Sequence, residues 1–165
     1  MLQSLCGWLE KTPLSAEIQN VGWVIPLSQI VHILCLAVAL SSMVFLDVRL
    51  LGAGFRNTSV TAVARTALPA ASIAVALMAF SGAILIIGEP RRDLLNLVFQ
   101  TKMALLVCAL AVTFLIQHGL RRWPQSPGEA GAVAVPWPWR AAAGASLCLW
   151  LAIAVCGRFI AYFMG

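Results

Sequence analysis

The stretch VIPLSQIVHILCLAVALSSMVFL, Val24–Leu46, decides the fold. His32 is its one basic or acidic side chain, and it exceeds the roughly 20 residues a helix needs to cross a hydrocarbon core. Its apolar residues do not alternate with a period of two, which excludes a barrel strand. In lipid its backbone groups must therefore pair within a helix.

Working outward, three more stretches meet the same requirements, at Thr66–Ile87, Leu94–Ile116 and Arg140–Tyr162. The composition agrees. Hydrophobic residues make up 61% of the 165 and charged residues only 10%, with a mean hydropathy of +0.92, which excludes an ordinary water-soluble domain. The expected architecture is an all-α, four-helix transmembrane bundle forming a single domain over residues 1–165. The remaining pieces are too short for a second domain. Leu2, Leu5, Trp8 and Leu9 recur at helical spacing before Pro13, a pattern that predicts a short N-terminal helix lying in the membrane interface. No basic start leads directly into an apolar run with a small-residue cleavage site, so the first span is expected to act as its own insertion signal. Residues Pro124 to Pro138 hold four prolines together with Gly128 and Gly131, and read as an irregular connection.

Arginine placement gives an orientation. Arg49, Arg56, Arg65, Arg121, Arg122 and Arg140 flank one end of the spans, whereas Lys11, Arg91 and Arg92 flank the other. Six against three assigns the first end to the cytoplasm. The expected location is the inner membrane of a bacterium with both termini outside. Trp23, Trp123, Trp137 and Trp139 fall where interfacial aromatics belong. The net charge of +5 follows from these membrane-edge residues, and nucleic acid is not an expected partner.

Counting from the cytoplasmic ends puts three ionisable residues at one depth. His32 lies 15 residues from Asp47, Lys102 lies 16 from His118, and Arg158 lies 18 from Arg140. At the helical rise all three stand roughly 22–27 Å from that face. The same count on the second span reaches Ser81 and Gly82. Charge inside a bilayer costs a few kcal/mol per group, so such residues usually face the bundle interior or a wet cavity. Lys102 and Arg158 are near enough to the outer interface to snorkel. His32 is harder to excuse: imidazole is short, and the residue stands about 13 Å along the helix from Trp23. A hydrogen bond to a neighbouring helix is its bland alternative.

Ser28, Gln29, His32 and Cys35 form a polar stripe on one face of the first span. A His-x-x-Cys pair could hold a soft metal such as copper, making His32 the candidate metal ligand. Cys6, Cys108, Cys148 and Cys156 are scattered without a C-x-x-C pattern. For a b-type haem, His32 is a candidate axial ligand. His118 lies too far away in depth, which leaves Met103, Met78 or the His32 of a second copy for the other side. Lys102 and Arg158 could meet propionates. A quinone headgroup is the rival ligand, hydrogen-bonded by His32, Ser81 and a cation. The candidate cofactor site is thus His32, Ser81, Lys102, Met103 and Arg158.

Trp23-x-x-Pro26 with His32, Asp47-Val-Arg49-Leu-Leu-Gly52, Phe99-x-x-Lys102-x-x-Leu105-Leu106 and Gly157-Arg158-Phe-Ile-Ala-Tyr162 occur in this order along the chain. In this the chain resembles a family of four-helix bacterial integral membrane proteins of unknown activity. The third piece also looks like part of copper-resistance D-type membrane domains. The resemblance implies the four-helix fold and singles out His32, Lys102 and Arg158; it implies no activity.

The leading expectation is a small membrane redox subunit that binds b-type haem or quinone at the outer leaflet and exchanges electrons with a membrane or periplasmic protein. A non-catalytic accessory or scaffold subunit is the alternative, and copper or small-anion handling a third. Homo-oligomerisation is the arrangement that would bring two His32 rings together. No nucleophile is paired with a base, the spans hold no paired carboxylates, and no phosphate-binding glycine loop occurs. Asp47 and Arg49, at the cytoplasmic end of the first span, are expected to be structural anchors, since an interfacial ion pair there is cheap, with fixing the helix end or binding a partner as the other roles. Glu89 reads as a solvated loop carboxylate, with proton entry as its functional alternative.

Overall fold

The computed structural model describes residues 2–55, 57–121 and 135–159. Four helices in it are long and apolar enough to cross a membrane, the expected all-α four-helix bundle. They are α3 (Val24–Leu51), α4 (Val60–Gly88), α6 (Leu97–Arg121) and α7 (Trp137–Phe159). Three short helices complete it: α1 (Leu2–Glu10), α2 (Pro13–Asn20) and α5 (Pro90–Leu94). Trp123, Arg56, Arg122, most of the connection before α7 and the chain after Phe159 lie outside the described residues.

The observed ends differ from the sequence reading for local reasons. Helix α4 starts at Val60 because the Ser59 hydroxyl accepts the Ala62 N–H at 3.1 Å, an N-cap that a count starting after Arg65 passes over. Helix α6 starts at Leu97 because Asn96 Oδ1 accepts the Val98 N–H at 2.8 Å, detaching Pro90–Leu94 as a turn of its own. Helix α3 runs on to Leu51 and stops at Gly52, whose φ of +74° suits glycine at a helix C-terminus.

The spans pack as a chain. Helix α4 lies along α3, α3 along α7 and α7 along α6, while α4 and α6 barely touch. The α3–α4 contact is lined on α4 by Ala64, Ala67, Ala71 and Ala74, which all face the core beside Ala39, Met43 and Leu46 of α3. Small residues at this spacing let two helix backbones approach closely, which is how membrane helices gain contact energy when lipid offers no hydrophobic drive. Ile73, Leu77, Phe80, Val107, Phe114, Leu115 and Val155 point outward and exposed. A belt of this extent would be untenable in water and is ordinary against acyl chains.

The N-terminal segment is two helices rather than one, with Pro13 opening α2 instead of only ending α1, and Thr12 capping it through the Ser15 N–H. Helix α2 seals the last turn of α4. The buried Ser15 hydroxyl donates to the Ile87 carbonyl at 2.8 Å, and Gln19 donates to the Gly88 carbonyl at 2.8 Å, satisfying carbonyls that a helix end leaves open. Cys6 reaches the Pro90 carbonyl and Arg91 pairs with Glu10 at 2.9 Å, so α1 is tied to α5. Glu89 is paired with Arg92.

Asp47 and Arg49 correct the expectation of ion-pair anchoring. Arg49 does anchor, but through the backbone: its Nε donates to the Thr58 carbonyl at 2.6 Å across the α3–α4 turn. Asp47 is 0% exposed, and neither of its oxygens has a hydrogen-bond partner.

Candidate functional site

His32 sits two turns into α3, half-buried, on the face that carries the buried Ser28, Cys35 and Ala39. The polar stripe therefore turns toward the bundle. Opposite it on α4 is Ser81, only 2% exposed. His32 Nδ1 and Ser81 Oγ are 3.0 Å apart, and the Ser81 hydroxyl lies 3.1 Å from the Met78 carbonyl.

This geometry assigns the protons. A carbonyl can only accept, so the Ser81 proton goes to Met78 and the Ser81 oxygen is left to accept from His32. Nδ1 therefore carries the hydrogen, and Nε2 presents a lone pair. A ring held through one nitrogen with the other open is the arrangement seen when imidazole serves as a metal ligand or a proton acceptor.

Glycine makes the room. A Cβ on Gly82 would stand 3.2 Å from His32 Cε1, so a larger residue there would press on the ring. Gly157 of α7 lies beside the half-buried Lys102 of α6, whose Nζ is 3.9 Å from where a Cβ on the glycine would stand, an ordinary contact distance. The Lys102 charge acts on His32, and Lys102 in turn feels Asp93 and Cys156. Asp93, in the short α5 just outside the spans, has its carboxyl held above the ordinary value chiefly by burial. Arg92 and Lys102 oppose that shift and Glu89 reinforces it.

The structure thus brings together His32, Ser81 and Lys102 of the expected set, and adds Asp93, Gly82, Gly157 and Cys156. Arg158 follows Gly157 at the end of α7, exposed, with interactions of its own. Met103 neighbours Lys102 in sequence but is 40% exposed on the adjoining face of α6. His118 stands on the far part of α6 beside Phe114, ring centroids 6.2 Å apart. Among the described residues no three His, Cys, Asp or Glu side chains converge as a metal set. Asp93 was legible only as part of a mixed loop charge, because nothing in its spacing links it to a lysine nine residues later on another helix.

A cleft of about 450 Å³ opens at the same end, lined by Glu10, Gln19, Ile25, Gly88, Glu89 and the α5 arginines. It does not include His32. Arg91 and Arg92 are engaged there by Glu10 and Glu89.

Fold and site together define an integral membrane four-helix protein with a polar centre shared by α3, α4 and α6 near one end of the bundle. The chain belongs to a family of unknown function, DUF6644, whose model matches residues 7–163. No curated protein and no solved structure matches it.

Proposed function

We propose that this protein is a small membrane redox subunit whose His32 centre binds a quinone headgroup or a b-type haem and exchanges electrons with a membrane or periplasmic partner. The observation that carries the reading is the His32 ring, fixed at Nδ1 by Ser81 with Nε2 open, with the Lys102 charge acting on it. An open imidazole nitrogen accepts the O–H of a quinol, and an ammonium donates to a quinone carbonyl, so the pair suits both redox forms of one headgroup. The loosely packed seam between α4 and α6 supports lateral entry from lipid for a tailed molecule.

Haem is the second reading, favoured by the same Nε2. His32 would be one axial ligand, and Lys102 would meet a propionate. The other axial position would fall to Met103, Met78 or a second copy's His32. In either case the bound group supplies the electron chemistry, and the chain orients it and moves a proton at Nε2. A bacterial inner membrane, an outer-leaflet position for the site and a kinship with copper-resistance D-type domains belong to this proposal, resting on the arginine asymmetry and on the Phe99-x-x-Lys102 piece. The scaffold and copper-handling readings are its competitors.

The test is a dithionite-reduced minus air-oxidised spectrum of the detergent-purified protein, with quinone extraction from the same sample, set beside His32→Ala. A Soret and α-band pair lost in the variant establishes haem. Co-purifying quinone that falls with the variant establishes quinone. Folded protein that carries neither, and binds no added ubiquinone or menaquinone analogue, refutes both and leaves a scaffold.

A further inference from the structure

The other end of the bundle holds a second polar centre that the His32 reading does not use. Asp47 of α3 is 0% exposed, and both carboxyl oxygens are without hydrogen-bond partners. Ser146 of α7 is 0% exposed, and its hydroxyl is likewise without one. The Ser146 hydroxyl is the polar neighbour of the carboxyl, at a geometry short of a direct bond. One turn further along the same buried face of α7 is Trp150, 1% exposed, with its indole N–H also unpaired. Aromatic side chains in helices lean back toward the preceding turn, which here is the turn of Ser146. Four orphaned polar atoms on two packed helices are far from what a folded interior tolerates without a reason.

The donor and acceptor inventory selects the occupant. The carboxyl offers acceptors, the hydroxyl either role, and the indole only a donor. A bare cation would be repelled by the indole hydrogen. Water fits: it accepts from Trp150, and donates to Asp47 and Ser146, the usual role of buried water between otherwise unpaired groups. Water alone cannot balance a full negative charge inside the bundle, and no described cation pairs with Asp47. On α3, Arg49 is committed to Thr58. On α4, Arg65 is exposed, as is Arg140 on α7, and neither Asp47 oxygen accepts a hydrogen bond from them. An unpaired carboxylate in such a place takes up a proton instead.

From these orphaned groups we infer that Asp47, Ser146 and Trp150 form a proton-binding site, in which Asp47 is held as the neutral acid and shares bound water with the Ser146 hydroxyl and the Trp150 indole. The site is independent of any ligand at His32.

Infrared difference spectroscopy of the full chain in liposomes, in H2O and in D2O, tests it. The wild type at neutral pH is expected to show the carbonyl stretch of a protonated carboxyl, shifted by deuteration. Asp47→Asn removes that band, and Asp47→Glu, should the asparagine variant not fold, moves it. Ser146→Ala and Trp150→Phe keep the band but shift it toward the frequency of a drier carboxyl. Folded wild type without such a band at neutral pH overturns the inference. So does a band that Asp47→Asn or Asp47→Glu leaves untouched, or one that neither the Ser146 nor the Trp150 variant shifts.

Discussion

Ser81→Ala isolates the bond that sets the His32 ring. The substitution deletes one oxygen and nothing else, because the hydroxyl's own bond goes to the Met78 carbonyl, which as a helix-interior group keeps its backbone partner. What is lost is the acceptor 3.0 Å from His32 Nδ1. Orphaning a buried donor costs about 1–3 kcal/mol in soluble proteins. Polar pairs between membrane helices average about 0.6 kcal/mol and reach about 1.7, because the unfolded chain in a bilayer also finds partners. The membrane value is the relevant one here. A double-mutant cycle of Ser81→Ala with His32→Ala, read by reversible unfolding in mixed micelles, should give a coupling of about 0.5–1.5 kcal/mol. Ser81→Ala should be nearly neutral in the His32→Ala background. A coupling indistinguishable from zero would mean the bond contributes nothing in a membrane environment, and the assignment of the Nδ1 proton would fall with it.

Two further outcomes follow from other parts of the molecule. At Gly119 an added Cβ would stand 1.7 Å from an indole carbon of Trp139 and 2.6 and 2.8 Å from two others. Gly119→Ala should gain about 1 kcal/mol of helix propensity but lose about 1–3 to overpacking of α6 against α7; a variant stabilised by the whole propensity term would show that the contact is absent. Asp93 gives a pH dependence whose sign can be checked. Its carboxyl is held above the ordinary 3.8 by burial, so the folded state binds more protons than the unfolded one, and this group's contribution to stability declines as pH rises from that ordinary value through the raised one. Asp93→Asn should flatten the profile in that window, and an unchanged acid-side slope in unfolding titrations would count against its burial.

The spans could be read from the sequence because the bilayer imposes a length and a polarity that hardly depend on neighbours, and Val24–Leu46 satisfies both without reference to the rest of the chain. The helix ends were less legible. Ser59 and Asn96 move them by single side-chain bonds, which an average over hydropathy does not register. Depth counting put Ser81 level with His32, and the two side chains meet at 3.0 Å, since helical rise is fixed. It could not decide which way each side chain turns: Met103 and Lys102 share a depth, yet their exposures differ because adjacent residues point about 100° apart.

Sequence by itself determined the four-helix membrane architecture, since it follows from properties each helix has alone. Only the tertiary structure decided that Ser81 holds the His32 ring at Nδ1, that Gly82 clears space for His32, and that α2 seals the end of α4. The fate of Asp47 was decided there too. At the edge of an apolar run an aspartate reads as a surface anchor, and its complete burial against Ser146 depends on how α3 and α7 face each other. That pairing is set by packing between residues about a hundred positions apart, which no local pattern encodes.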